Sequence, residues 1–346
     1  MKILMVGLGG IGQRHVRNLR FLMGSDVEII AYRYRNNPQV LTDQLRVEPG
    51  GMLIEKYAIR VYDNIDRAID EKPNAVFVCN PSSLHIPVAL KAAQVGCNLF
   101  IEKPLSHNLE QVEELINIVE SQNAKAVVGY QMRFHPCLLH LHSLMLVQGV
   151  GKIIAVRVEV GDYLPGWHTY EDYRQMYAAR EDLGGGVILT QIHELDYIYW
   201  LFGLPTRVFS MGGHLSSLDI KVEDTVDILM ECVVDNRPVP VSVHLDFVQR
   251  PSKRVCEIIG DAGKIIVDIS GLTLQKFDAL GNLSEAVSYE GFDRNQLFID
   301  ELKYYFEYLQ GNEGPVVTIQ EAAQSLRIAL AAKESLLTRK IVNLVN

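Results

Sequence analysis

The sequence predicts an α/β protein in two parts. The first is an N-terminal Rossmann fold with a doubly wound parallel sheet, and the second a C-terminal α+β domain on an open, mainly antiparallel sheet. Three observations predict it. Short apolar runs alternate with helical patterns as far as residue 129, long alternating strands without intervening helices follow from Lys152, and helical periodicity returns near the end. At 346 residues the chain is long enough for two cores. The expected division is a dinucleotide-binding domain over 1–125 and a substrate-binding and oligomerisation domain over 126–346.

The first element is the apolar run Lys2 to Val6, closed by Gly7, Gly9 and Gly12 and followed from Ile11 by helical spacing. G-x-G-x-x-G alone is a weak pattern, and its place between strand and helix makes it a dinucleotide loop. Gly7 permits the tight turn, Gly9 lets backbone approach a pyrophosphate, and Gly12 lets helix pack closely on strand. Gly10 and Ile11 complete the loop, with the anion at the helix N-terminus.

The second strand, Val27 to Tyr32, lacks the acid that usually holds a ribose 2′-hydroxyl and runs instead into Arg33-Tyr34-Arg35. A guanidinium there can hold a 2′-phosphate, which favours NADP(H) over NAD(H). The alternative is that Arg33 and Arg35 are solvated strand-end charges, with adenine stacked on one of them.

Further strands are expected at 75–79, 98–101 and 126–129, with helices at 85–95 and 109–122. Ligands collect at the carboxyl ends of such strands. Two ends stand out, Asn80-Pro81-Ser82-Ser83-Leu84-His85 and Glu102-Lys103-Pro104. Lys103 directly follows a buried strand and precedes a proline that extends its backbone, which holds the side chain over the strand ends. Burial beside a cationic nicotinamide lowers a lysine pKa and suits it to proton transfer. A surface lysine in a loop is the other reading.

Beyond residue 129 strands are expected at 152–160, 206–211, 225–234, 239–248, 254–260 and 264–269, and helices at 295–309 and 319–337. Gly184-Gly185-Gly186 opens an apolar helical stretch, 187–202, with His193 and Asp196 on one face. His193 points either to substrate or to Asp196 within the core. Tyr197 stands where H-E-x-x-H would place its second histidine, and His140 and His142 point apart on one helix, so no metal site is expected. No G-x-S-x-G elbow is present.

A formal charge of −9 argues against phosphate-contact nucleic-acid binding. Five scattered cysteines, without a C-x-x-C pair, read as buried free thiols. No apolar stretch approaches membrane-spanning length, and a first strand beginning at residue 2 leaves no room for a signal peptide. A cytoplasmic location follows. The alternating second sheet leaves a face for a homodimer or homotetramer, unless the chain's own helices cover it.

Together Gly7-x-Gly9-x-x-Gly12, Glu102-Lys103-Pro104 and Gly184-Gly185-Gly186 with His193 and Asp196 resemble the Gfo/Idh/MocA oxidoreductase family. So do Glu223-Asp224-Thr225, the segment 258–264 and the closing Ala331-Ala332-Lys333-Glu334-Ser335, so the likeness covers essentially the whole chain. The resemblance implies an NAD(P)-binding domain followed by an open-sheet domain, with chemistry between them on a sugar or polyol carbon. It implies that Lys103 acts on the reacting hydroxyl or carbonyl, assisted by His193. Asn80, Pro81, His85, Glu102 and Gln131 fall at the nicotinamide half, with Ser82 alongside, and Arg133, Trp167, Tyr173 and Arg174 flank the cleft. Many members carry an aspartate four residues before the histidine. This chain has Leu189 there, with Thr190 the nearest polar substitute, and its glycine-to-histidine segment is one residue shorter. The loop 162–182 looks like a branch associated with bacterial surface-sugar pathways.

The activity expected is hydride transfer between nicotinamide and a secondary carbinol of a sugar, polyol or sugar derivative, with reacting carbons about 3–3.5 Å apart. Lys103 handles the proton, His193 relays or positions it, and Thr190 binds the hydroxyl. The rivals are a nucleotide-sensing regulatory protein without turnover, and an enzyme that retains its cofactor for transient oxidation.

Overall fold

β1 (Lys2–Val6), β2 (Glu28–Tyr32), β3 (Ile59–Tyr62), β4 (Ala75–Val78), β5 (Asn98–Glu102) and β6 (Ala126–Gly129) form one sheet in the computed structural model, which describes residues 1–32, 39–312 and 317–344. The order is β3-β2-β1-β4-β5-β6 and every pair is parallel. Helices cover both faces of such a sheet, so its strands are continuous apolar runs, and Ile3, Leu4 and Met5 are all fully buried. α1 (Gly10–Met23) follows β1, α2 (His85–Gln94) follows β4 and α3 (Val112–Ser121) follows β5. The order reverses between β1 and β4, which places the ligand crevice at their carboxyl ends. β6 carries this sheet past the division expected at residue 125, because its backbone hydrogen-bonds to β5 in register from Leu99 with Ala126 to Glu102 with Gly129.

α4 (Pro136–Leu146) leads into a nine-stranded sheet. Its strands are β7 (Ile153–Gly161), β8 (Arg207–Gly213), β9 (Thr225–Val234), β10 (Arg237–Asp246), β11 (Lys253–Gly260), β12 (Gly263–Asp268), β13 (Thr273–Asp278), β14 (Leu283–Ser288) and β15 (Val342–Asn343). They lie in the order β14-β13-β12-β11-β7-β10-β9-β8-β15, antiparallel except for β7 with β10. The hairpin β13–β14 extends the sheet beyond the last strand expected from sequence. Leu274 is its one fully buried apolar side chain, so it carries little hydrophobic alternation to read.

α5 (His193–Phe202), α6 (Asn295–Leu309) and α7 (Ile319–Thr338) complete the chain. The stretch 187–202 is not one helix. A turn at Val187–Thr190 ends before α5 begins, because the Thr190 carbonyl accepts from Lys103 Nζ at 2.6 Å and the Glu194 N–H turns to Gln191 O at 3.4 Å. α7, opened by a Thr318–Glu321 capping box, covers the inner face of the sheet, and its Ser335 Oγ accepts from the Ser210 N–H of β8 at 2.9 Å. α6 returns to the first domain. Its Leu302 and Tyr305 share a core with Met5, Leu19, Phe77 and Phe100, and the Tyr305 ring meets Phe77 and Phe100 edge-on at 5.7 and 5.4 Å. The outer face of the large sheet exposes Met211, Leu229 and Val233 among charged pairs such as Arg207–Glu231. All five cysteines are buried and unpaired.

Candidate active site

The glycine loop leaves β1 with Gly7 at φ +98°, where a Cβ would meet the Cys79–Asn80 backbone at 2.8–2.9 Å. A Cβ on Gly12 would run into the Gly7 carbonyl, while one on Gly9 has open space around it. Gly9 caps α1 with no side-chain hydrogen bond. The first-turn N–H groups therefore face an open cradle, as a dinucleotide pyrophosphate requires, and Gly10 and Ile11 line it. The loop 162–182 reaches back to this cradle, since Tyr170 Oη lies 3.3 Å from where a Gly10 Cβ would stand. Arg33 and Arg35 lie outside the described residues.

At the end of β4, Asn80 keeps a buried Oδ1 with no hydrogen-bond partner among the described residues, and Pro81 opens a single 3₁₀ turn, Ser82–Leu84. Ser82 faces the other domain rather than the cofactor crevice: its hydroxyl donates to the carbonyls of Leu183 and Gly184 at 3.1 and 3.3 Å. His85 is a staple. Its ring nitrogens lie 2.8 Å from the carbonyls of Pro104 and Asn80, burial lowers its pKa against the pull of those carbonyls, and the neutral ring donates its single N–H to one of the two. Neither nitrogen is left for a ligand. Glu102 is also turned away, with Oε1 2.6 Å from His15 Nε2 beneath α1.

Lys103 does face the second domain, through its hydrogen bond to Thr190 O. The Thr190 hydroxyl is buried beside it with no partner among the described residues. His193, first residue of α5, is buried, and burial followed by the nearby charges of Lys103, Arg254 and Arg294 holds its pKa well below the usual histidine range. It is neutral near pH 7. Gln131 Nε2 lies 3.3 Å from His193 Nε2, which makes that nitrogen the acceptor and leaves the proton on Nδ1, buried and without a partner among the described residues. Lys103, Thr190, His193 and Gln131 thus meet where the two domains join.

Arg133 does not face the cleft. Its Nε and Nη2 each donate to Asp196 at 2.9 Å, Nη1 reaches Glu321 at 3.3 Å, and Ser325 Oγ gives Asp196 a further bond at 2.9 Å. Asp196 therefore pairs with Arg133, not with His193. Arg174 is likewise occupied, by Asp172 at 2.6 Å and Asp219 at 3.4 Å, and Tyr173 Oη accepts the Asp219 N–H. Trp167 packs edge-on to Phe247 with its indole N–H buried and unpartnered among the described residues. The triple glycine is a packing device: a Cβ on Gly186 would strike the Glu223 carboxylate, itself held by Lys333 at 3.1 Å. His140 contacts Glu285 at 2.9 Å and His142 stacks on Trp200. Among the described residues no cluster of His, Cys, Asp and Glu could hold a metal ion.

Sequence reasoning did not single out Arg254, Arg294 and His135, whose charges or rings lie around His193 or one another. Arg254 carried a readable signal, since it shares strand parity with buried Cys256 and Ile258 and so interrupts the inward face of β11.

A pyrophosphate cradle at a sheet switch point, with a lysine two strands away and a neutral histidine of the second domain beside it, is the arrangement of a nicotinamide-dependent oxidoreductase. The Gfo/Idh/MocA oxidoreductase model with an NAD-binding Rossmann fold matches residues 1–130, and the family's C-terminal domain matches 139–266. The chain belongs to this family of oxidoreductases. It is 25% identical over 357 residues to a myo-inositol 2-dehydrogenase of Thermotoga maritima, covering 99% of this chain and 98% of that protein. A Bacillus subtilis scyllo-inositol 2-dehydrogenase (NAD(+)) is 22% identical, with 97% and 94% covered. The structure of the WlbA dehydrogenase from Bordetella pertussis, in complex with NADH and UDP-GlcNAcA, superposes with a TM-score of 0.79 at 19% identity, covering 100% and 99% of the two chains.

Proposed function

We propose that the protein transfers a hydride between a nicotinamide dinucleotide and a secondary carbinol or ketone of a sugar, polyol or sugar derivative. The observation that carries this is Lys103 fixed on the Thr190 carbonyl beside His193, whose Nδ1 has no partner among the described residues. When bound, the dinucleotide supplies the hydride acceptor or donor. Lys103 Nζ takes the hydroxyl proton as the alcohol is oxidised and returns it in the reverse direction. His193 Nδ1 and the Thr190 hydroxyl hold the same oxygen, and the unpartnered Asn80 Oδ1 would help to hold the nicotinamide half of the cofactor. The activity is tested by following NADH or NADPH formation on a panel of inositols, free sugars and nucleotide sugars. Product that forms with no change in free NAD(P)H would replace this reading with transient oxidation by a retained cofactor.

The cofactor we propose is NADP(H) in preference to NAD(H), on the strength of Arg33 and Arg35 where an acid usually stands. Titration followed by nicotinamide fluorescence should show tighter NADPH binding that Arg33→Ala or Arg35→Ala removes. Equal or tighter NADH binding sinks the preference. Five buried free thiols support a cytoplasmic setting. No helix among the described residues is long and apolar enough to cross a membrane.

We also propose a homodimer or homotetramer joined through the outer face of the large sheet. α7 covers the inner face, and Met211, Leu229 and Val233 are each about half exposed on the other. Light scattering at working concentration should give a multiple of the 39.0 kDa chain mass, and a monomer mass refutes the assembly.

A further inference from the structure

His193 begins α5, and its own segment does little to fix that start. Ile192 before it supplies no side-chain cap, and the Glu194 N–H reaches the Gln191 carbonyl only at 3.4 Å. The contact that sets the ring is also long. Gln131 Nε2 stands 3.3 Å from His193 Nε2, near the outer limit of a hydrogen bond, so a small parting of the two segments loses it.

Arg254 reaches both segments. β11 carries it between β7 and β12, and its carbonyl accepts the Ile269 N–H at 2.9 Å, so its backbone is set by the sheet. From there Nε and Nη2 donate to the two Glu194 oxygens at 2.6 and 3.0 Å, gripping the first turn of α5. Nη1 donates to the Met132 sulfur at 3.8 Å, in the 3₁₀ turn Gln131–Phe134. One planar guanidinium therefore joins the residue after His193 to the residue after Gln131. Tyr130, the residue before Gln131, meets the His193 ring edge-on with centroids 5.7 Å apart, so turn and ring also share a packing contact. Glu194 is fully buried. A buried pair of this kind contributes little net stability, because desolvation offsets the attraction, whereas its two parallel bonds fix a direction.

We propose that Arg254 is a positioning residue for His193: its fork holds the first turn of α5 against the Gln131 turn, so that Nε2 keeps its bond from Gln131 and the Nδ1 proton is presented to the substrate oxygen. The use of that proton rests on the dehydrogenase reading, and the tautomer that Arg254 maintains does not. Full-length protein labelled with ¹⁵N at histidine is observed by NMR at neutral pH, with the His193 signals identified by their absence in His193→Gln. The same spectra, kcat and cofactor affinity are measured for Arg254→Lys and for Arg254→Met combined with Glu194→Leu. The double variant is chosen to fold, since apolar side chains of similar size commonly replace a buried ion pair without loss of stability.

Wild-type His193 should carry its proton on Nδ1 alone. In the double variant the proton should be shared between Nδ1 and Nε2, and kcat should fall roughly ten- to hundredfold. Reduced-cofactor affinity should stay within about threefold, since the pyrophosphate lies on the α1 cradle. Arg254→Lys, which keeps the charge without the fork, should fall between the two, and it decides alone by the same readings if the thermal midpoint shows the double variant unfolded. The proposal is overturned if the wild-type proton sits on Nε2, or if the variants keep the Nδ1 proton and wild-type kcat and lose only thermal stability. A tautomer that depends on Arg254 in a protein that turns over no sugar upholds the positioning role while removing the dehydrogenase reading.

Discussion

Lys103→Ala should lower kcat by about 10²–10⁴ while the reduced cofactor still binds within a few-fold of its wild-type affinity. The expectation comes from separation of tasks in the crevice. The cofactor cradle is built by Gly7, Gly9 and Gly12 and the open first turn of α1, none of which touches Lys103. Lys103 instead spans to the second domain, where its Nζ donates to the Thr190 carbonyl at 2.6 Å and holds it out of the helical ladder. Removing it takes away the proton acceptor we propose and also lets the turn at 187–190 relax toward α5. Arg is a poor rescue because it cannot give up its proton. Stopped-flow turnover with fluorescence binding separates the two effects, and undiminished kcat in the alanine variant refutes the assignment.

Arg133→Ala should destabilise the protein by about 3–5 kcal/mol, read as a lower urea or thermal midpoint. Arg133 and Asp196 are 4% and 1% exposed and meet through two parallel bonds of 2.9 Å. Even with this partner, burial raises the Asp196 pKa above the usual carboxylate range. Without it the carboxylate is left in the interior with Ser325 and the like charge of Glu321. A carboxylate whose folded pKa is raised favours the folded state at low pH, where both states are protonated, and costs stability as pH climbs above its unfolded value. The loss should therefore be larger at pH 8 than at pH 4, and Asp196→Asn in the same background should recover part of it. A midpoint unchanged at pH 8 contradicts the role. Activity should fall as well, because Gln131 and His193 sit on the two segments that the pair ties together.

The parallel half of the fold is legible because its strands are buried on both faces: β1 matches the apolar run 2–6 without a slip. In the second sheet the inward alternation of β9 and β10 is equally plain, while the exposed hairpin β13–β14 has no such pattern. Within the site, Lys103 and His193 are readable from motif and position. Arg133, Glu102 and Ser82 are not, since their segments pass the crevice but their side chains leave it, toward Asp196, His15 and the Leu183 carbonyl. Side-chain direction in a short 3₁₀ turn such as Gln131–Phe134 follows from packing partners distant in the chain. Asn295 shows the same limit, because only the folded chain brings it to Arg14 and Asn18 of α1.

The return of α6 to the first sheet has a consequence for how the chain is made. A ribosome releases residues in order, and N-terminal domains generally fold as they emerge. Here the aromatic stack of Phe77 on Phe100, with centroids 4.8 Å apart, stays open on one side until Tyr305 arrives. The nascent nucleotide-binding half thus waits, with apolar surface uncovered, through the synthesis of the entire large sheet. Its maturation is coupled to synthesis as far as residue 305, so a premature stop ahead of that residue damages the half that was made before it.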